Sequence, residues 1–244
     1  MKTVLITGAN KSIGFETARQ LLSKGYFVYI GSRDLDKGTE AVKQLQQEGF
    51  TELAPIAIDV TDSSTIKTAA EQIKQTTGKL DVLINNAGIS GGMPQSPATS
   101  DLEVIKQTFE TNFFGAINVT QTFLPLLKES TAPRIVNVTS GLGSLTLHSD
   151  PTWKFYPYKS AAYGPSKTAL NAYTVALAYE LRDTNFKINA VDPGFTATDF
   201  NHHTGTGTVP AAAAIVVKYA TIEADGPTGK YFSAELAEGE ESPW

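Results

Sequence analysis

Seven short apolar bursts alternate along this chain with longer stretches of helical period. No other feature restricts its possible folds so tightly. The bursts run from Thr3 to Thr7, Phe27 to Gly31, Leu53 to Ile58, Val82 to Asn85, Ile135 to Thr139, Ile188 to Val191, and Tyr231 to Phe232. Between them lie Ile13 to Lys24, Leu35 to Gln47, Ser63 to Thr76, Asp101 to Leu127 and Ala161 to Leu181. In the first of these, Ile13, Thr17, Leu21 and Leu22 fall on one side of a helix, with Glu16, Arg19 and Gln20 elsewhere. Strand alternating with helix predicts parallel strands buried on both faces and joined by right-handed crossovers. No linker or repeat interrupts the pattern, so residues 1–244 read as one doubly wound α/β domain.

Composition removes several function classes. Net charge is −5, from 20 basic and 25 acidic residues spread without a basic block, which argues against a nucleic-acid partner. There is no cysteine, so disulfides, thiol nucleophiles and cysteine zinc sites are excluded. Three histidines, two of them adjacent, do not suggest a metal cage, and no metal is expected. No apolar run approaches the roughly 20 residues of a membrane span, and Thr7-Gly8 cuts short the first burst before it could serve as a signal core. A cytoplasmic protein is expected.

The turn after the first burst is Thr7-Gly8-Ala-Asn10-Lys11-Ser12-Ile13-Gly14. Glycine at such a turn lets the backbone approach a pyrophosphate, and the free N–H groups opening the next helix bind its charge. The end of the second strand reads Gly31-Ser32-Arg33-Asp34. An acid there selects NAD, whereas Ser32 repels no phosphate and Arg33 offers a planar fork for one, with Lys11 as a second cation. This favours NADP; NAD remains the alternative if Asp34 or Asp36 meets a ribose hydroxyl instead. Asp59-Val60 ends the third strand, where Asp59 either bonds the adenine amino group or caps the following helix. Asn85-Asn86-Ala87-Gly88 ends the fourth, where amides either brace the crevice or touch the ligand. Asn112 lies among Phe109, Phe113 and Phe114, either propping its helix open with a bound water or satisfied within the core.

Tyr163-Gly-Pro-Ser-Lys167 places a phenol and an ammonium on one helical face. A neighbouring cation stabilises a phenolate and lowers its pKa from about 10. Ser140 stands at the predicted carboxyl end of another strand.

Assembled in order, these residues resemble the short-chain dehydrogenase/reductase family in its short single-domain form. The markers are Thr7-Gly8-x-x-x-Ser12-x-Gly14, Asp59, Asn85-Asn86-Ala87-Gly88, Asn112, Ser140, Tyr163-x-x-x-Lys167 and Pro193-Gly194, and they span almost the whole chain. Lys11 and Gly226-Pro227-Thr228-Gly229 look most like its carbonyl reductases. The resemblance implies a Rossmann-type α/β fold, a doubly wound parallel sheet of about seven strands with helices on both faces. Two departures stand out. Ser12 replaces the family's middle glycine. Ser140 and Tyr163 are separated by 22 residues, longer than the usual spacing, and the excess holds His148, Trp153, Phe155, Tyr156 and Tyr158. It reads as an aromatic wall over substrate or as an oligomer contact.

What the resemblance implies is an NADPH-dependent carbonyl reductase, reversibly converting ketone or aldehyde to alcohol with Ser140, Tyr163, Lys167 and Asn112 as a catalytic tetrad. Tyr163 would exchange the proton. Lys167 would lower its pKa and hold the ribose hydroxyls, and Asn112 would link Lys167 to solvent through a water. Pro193-Gly194, Thr196 and Thr198 would bind the carboxamide, and residues 195–215 would form a lid. The alternatives are a secondary-alcohol dehydrogenase preferring NAD and, from another class, a regulator that senses the cofactor without turnover. Few charges and many rings near the site suit a small hydrophobic substrate. A homodimer or homotetramer is expected on family grounds, and the end from Tyr231 to Trp244, with its acidic run from Glu235 to Glu241, either reaches a neighbour or frays in solvent.

Overall fold

The computed structural model describes residues 1–92 and 94–244. Its strands are β1 (Thr3–Ile6), β2 (Phe27–Ser32), β3 (Leu53–Ala57), β4 (Val82–Asn85), β5 (Arg134–Val138), β6 (Lys187–Asp192) and β7 (Lys230–Ser233). They form one parallel sheet in the order β3-β2-β1-β4-β5-β6-β7. Every burst therefore becomes a strand. Pro55, which cannot donate to a ladder, lies in β3 at the sheet's edge, where that defect is tolerated.

Successive side chains of a strand point to opposite faces, and the sheet uses that to build two cores. Val4 and Ile6 pack on one face with Leu21, Val42 and Val216, while Leu5, between them, packs on the other with Ile66, Phe123 and Leu177. The helices are α1 (Ser12–Ser23), α2 (Leu35–Gln47), α3 (Ser63–Thr77), α4 (Leu102–Phe109), α5 (Gly115–Lys128), α6 (Leu145–Ser149), α7 (Tyr163–Glu180) and α8 (Val209–Ala220). The chain starts at the middle of the sheet, winds outward to β3, then returns to place β4 on the other side of β1. The crevice opened by that reversal, at the carboxyl ends of the strands, is where ligands bind in open sheets of this kind.

Three expectations change. The segment from Asp101 to Leu127 is not one helix: α4 and α5 are separated by a π-helical turn, Glu110–Phe114, centred on Asn112. The residues from 209 to 215, expected in the lid, open α8, which Thr208 caps and whose Ala212, Ala213, Val216 and Val217 are buried. The acidic tail folds back on its own chain. Ser242 N–H donates to Tyr231 O at 2.8 Å, Thr146 N–H to Trp244 O at 2.9 Å, and the Trp244 ring stacks on Tyr231 at 5.5 Å.

Candidate active site

The glycine turn sits where β1 meets α1, and Asn86 braces it from the end of β4. Asn86 Nδ2 donates to Thr7 O at 2.9 Å and Gly8 O at 3.0 Å, while Thr7 Oγ1 accepts from the Asn86 and Ala87 N–H groups at 3.0 Å each. Asn85 likewise spends its amide on Thr120 and Asn137 within the core. The Gly14 backbone passes so close that a Cβ there would lie 2.6 Å from both Asn86 Nδ2 and Gly8 O. Only glycine fits. Ser12 holds φ 53°, the left-handed region that a glycine would occupy without strain, so the turn keeps its shape despite the replacement.

Lys11, at the N-cap of α1, contributes no side-chain cap, whereas Asp34, Asp62 and Asp101 cap α2, α3 and α4. The first closing bond of α1 is Phe15 N–H to Lys11 O at 3.2 Å, leaving the preceding N–H groups free to meet an anion. The turn thus fits a dinucleotide's pyrophosphate. Ala9 N–H donates to Gly31 O at 2.8 Å, which sets the end of β2 beside the turn. There Ser32 is buried and Arg33 exposed. Asp34 is engaged as the cap of α2, accepting from Asp36 and Lys37 N–H, so it is committed to the helix. Asp59 is not a helix cap. Its Oδ1 accepts from Thr61 N–H and Oγ1 at 2.9 and 2.8 Å, and Asp62 caps α3 instead. Val60, beside it, is buried beneath Gly115.

Across the crevice, Tyr163 opens α7 and Lys167 follows one turn later. The Lys167 ammonium lies 5.8 Å from the centre of the Tyr163 ring and donates to Val138 O at 2.8 Å. Ser140, just past β5, accepts from Leu142 N–H at 3.2 Å and acts on the Tyr163 phenol closely enough to oppose the rise in its pKa. Asn112 Oδ1 accepts from Ile89 N–H at 2.8 Å, and its Nδ2 donates to Ile89 O at 2.9 Å and Ser166 Oγ at 3.0 Å. Of the two alternatives for Asn112, these bonds correspond to a satisfied amide, seated in a turn opened by one extra residue. A Cβ on Gly88 would stand 3.2 Å from Asn112 Oδ1 and 3.6 Å from Lys167 Nζ, so the loop after β4 runs close beside both. Asn112, Ser140, Tyr163 and Lys167, the four residues expected to act together, lie near one another at the strand ends.

Electrostatics here differ from the expectation of a phenol made more acidic. Burial pushes the Tyr163 phenol above its ordinary value. The Ser140 hydrogen bond opposes that push, and the Asp192 carboxylate adds to it. Burial also lowers Lys167 to about 8. Desolvation dominates at both groups, although Tyr163 is half-buried by accessible surface while Lys167 is buried and is itself pushed toward neutrality.

The turn after β6 is tied down by two carboxylates that sequence gave no reason to select. Asp192 Oδ1 accepts from Gly194 N–H at 2.9 Å and Oδ2 from Ser233 Oγ at 2.7 Å, and Glu235 Oε1 accepts from Phe195 N–H at 3.0 Å. Glu235 also pairs with Lys154 from the long insert. Thr196 and Thr198 are buried. Thr196 Oγ1 donates to Pro193 O at 3.1 Å, and Thr198 N–H donates to Asn201 Oδ1 at 3.1 Å. Residues 195–208 close on themselves, with Thr206 and Gly207 N–H both donating to Phe195 O at 2.8 Å.

The insert forms a row of edge-to-face rings. His148 meets Trp153 at 5.1 Å, Trp153 meets Phe155 at 5.4 Å, and Phe155 meets Tyr158 at 6.0 Å and Phe195 at 5.7 Å. Trp153 stands behind the serine turn, 3.3 Å from where a Gly141 Cβ would be. Phe200 lies against the Tyr163 ring at 5.3 Å. Tyr156 is outside the row, carrying the Lys159 ammonium at 4.0 Å.

Residues 2–208 match the family model described as short chain dehydrogenase. Among curated proteins, (+)-neomenthol dehydrogenase of Capsicum annuum is 34% identical across 93% of this chain and 94% of its own length. The solved structure of salutaridine reductase from Papaver somniferum superposes with a TM-score of 0.84 at 31% identity, covering 96% of this chain and 99% of that one. A structure described as ElxO with NADP bound matches at TM-score 0.83 and 27% identity, over 96% of each chain. With the strand order, the glycine turn and the Tyr163–Lys167 pair already in place, these matches show that the chain belongs to the short-chain dehydrogenase/reductase family of NAD(P)-dependent oxidoreductases.

Proposed function

We propose that the protein is an NADPH-dependent carbonyl reductase acting on small hydrophobic ketones or aldehydes, with Ser140, Tyr163, Lys167 and Asn112 as its tetrad. The observation that carries this is the Lys167 ammonium 5.8 Å from the Tyr163 ring, at the strand ends beside the glycine turn. When bound, the dinucleotide supplies a hydride to the carbonyl carbon. Ser140 and Tyr163 hold the carbonyl oxygen, and Tyr163 delivers the proton to it. The Tyr163 phenol is protonated at neutral pH and so holds the proton that reduction consumes. Lys167 orients the ribose, and Asn112 keeps the loop after β4 against α7. Gly8, Asn10, Lys11, Ser12, Ile13 and Gly14 cradle the pyrophosphate, with Asp59 and Val60 at the adenine. Asn86, Ala87 and Gly88 form the crevice floor, and Pro193, Gly194, Thr196 and Thr198 hold the carboxamide.

Exposed Arg33 and Lys11 support a 2′-phosphate, and the relative solved with NADP is in keeping with that. The aromatic row supports an apolar substrate, and residues 195–208 serve as its lid. No helix among the described residues is long and apolar enough to cross a membrane, in keeping with a cytoplasmic enzyme. Exposed Val175 and Tyr179 on α7 offer a face for a homodimer or homotetramer. A panel of ketones, aldehydes and alcohols, run with NADPH and with NADH, tests the proposal. The expected result is ketone or aldehyde reduction with kcat/KM higher for NADPH. Turnover of alcohols with NAD alone would overturn it.

A further inference from the structure

The first turn of α7 carries Tyr163 and has no cap of its own. A helix leaves its first N–H groups without intrahelical partners. Here Ala162 holds the N-cap position with a side chain that accepts nothing, and Pro165 brings no N–H to the turn. Gly164 N–H donates to Ser160 Oγ at 2.8 Å. The remaining two, Ala162 and Tyr163 N–H, converge on one atom, Gln95 Oε1, at 3.1 Å each. The other end of the same amide donates to Ser90 O at 2.6 Å and Gly92 O at 2.7 Å. Gln95 is 3% exposed, and both lone pairs and both amide hydrogens are used. The network also fixes which end is which: a flipped amide would set its NH2 against two N–H donors and its oxygen against two carbonyls.

We propose that Gln95 is a positioning residue for Tyr163, fixing the first turn of α7 against the loop that leaves β4. Asn112 makes the neighbouring tie, joining Ile89 of that loop to Ser166, whose hydroxyl in turn donates to Tyr163 O at 2.7 Å. Two amides from distant parts of the chain therefore hold the same turn, and only one belongs to the tetrad. The inference rests on Tyr163 being the proton donor.

Gln95→Ala tests it, with kcat, dinucleotide Kd and thermal melting measured on the full chain. The expected result is a fall in kcat of about tenfold or more with Kd within about twofold of wild type, since small misplacement of a reacting group is costly. In a Tyr163→Phe background, Gln95→Ala should then remove no further residual turnover. Wild-type kcat in folded Gln95→Ala beside an inert Tyr163→Phe overturns the inference alone, as does a loss that adds in full to Tyr163→Phe. Turnover surviving Tyr163→Phe overturns the donor assignment and this inference with it. If Gln95→Ala does not fold, Gln95→Glu carries the test. It keeps the acceptor but, ionised, sets an oxygen against Ser90 O and Gly92 O, and protonation restores one donor. Its kcat relative to wild type should rise as pH falls, and a flat ratio overturns the inference.

Discussion

Lys11, in the glycine turn, and Asp199, in the loop from 195 to 208, form an ion pair of 2.9 Å between segments far apart in sequence. His203 Nε2 meets the other oxygen of Asp199 at 3.0 Å. The contact joins the turn that would cradle the cofactor's phosphates to the loop that would cover substrate.

Both partners are exposed, so the pair contributes little stability and is screened by salt. Its consequence is competition, because a 2′-phosphate would draw Lys11 away from Asp199. A charge-assisted contact is worth about 1.5–3 kcal/mol, so Lys11→Ala is expected to weaken NADPH binding about tenfold with little effect on NADH. Asp199→Asn should tighten NADPH at low salt. Titration of both cofactors against both variants by fluorescence checks this.

Ser12 occupies left-handed backbone at φ 53°. That conformation costs a side-chain-bearing residue about 1 kcal/mol, and glycine escapes the cost. Ser12→Gly is expected to raise the melting temperature by roughly 2–4 °C. Unchanged or lower melting would show that the serine hydroxyl repays its strain.

Lys167 is lowered to about 8 by burial, against about 10.4 for a free lysine. Below pH 8 both folded and unfolded states carry the proton, and the cost of burying the charge is fully present. Between the two values the unfolded chain binds a proton that the folded chain has released, so stability contributed at this site rises with pH. Lys167→Met lacks that rise. Its stability relative to wild type should therefore fall between pH 8 and 10, whatever constant offset the lost bond to Val138 O adds. Denaturant melts of the pair across that range check the sign.

Much of this architecture was legible because periodicity reports burial, and each apolar burst lies in a strand whose neighbours bury it. Asn112, Ser140, Tyr163 and Lys167 could be singled out because their types, order and spacing resemble a family pattern. Helix α8 was not read: Val209-Pro-Ala-Ala-Ala-Ala-Ile-Val-Val is apolar nearly all round, so it lacks a stripe, although Thr208 as cap and Pro210 in the first turn were the signals available. The π-helical turn at Asn112 was hidden because its extra residue leaves the composition of a helix intact. Gln95 lies in a polar loop, and its partners at Ala162 and Tyr163 are set by tertiary packing. Asp192 and Glu235 were hidden for the same reason. The direction of the Tyr163 shift depends on burial, which a count of neighbouring charges cannot supply.

Catalysis as proposed depends on the Tyr163 phenol donating the proton beside a bound reduced nicotinamide. Tyr163→Phe measures it most directly, by the decay of reduced-nicotinamide absorbance with a ketone together with dinucleotide Kd. The expected result is an unchanged Kd and a loss of turnover of about a hundredfold or more, the usual contribution of a placed general acid. Turnover within a few-fold of wild type at the same Kd would contradict it.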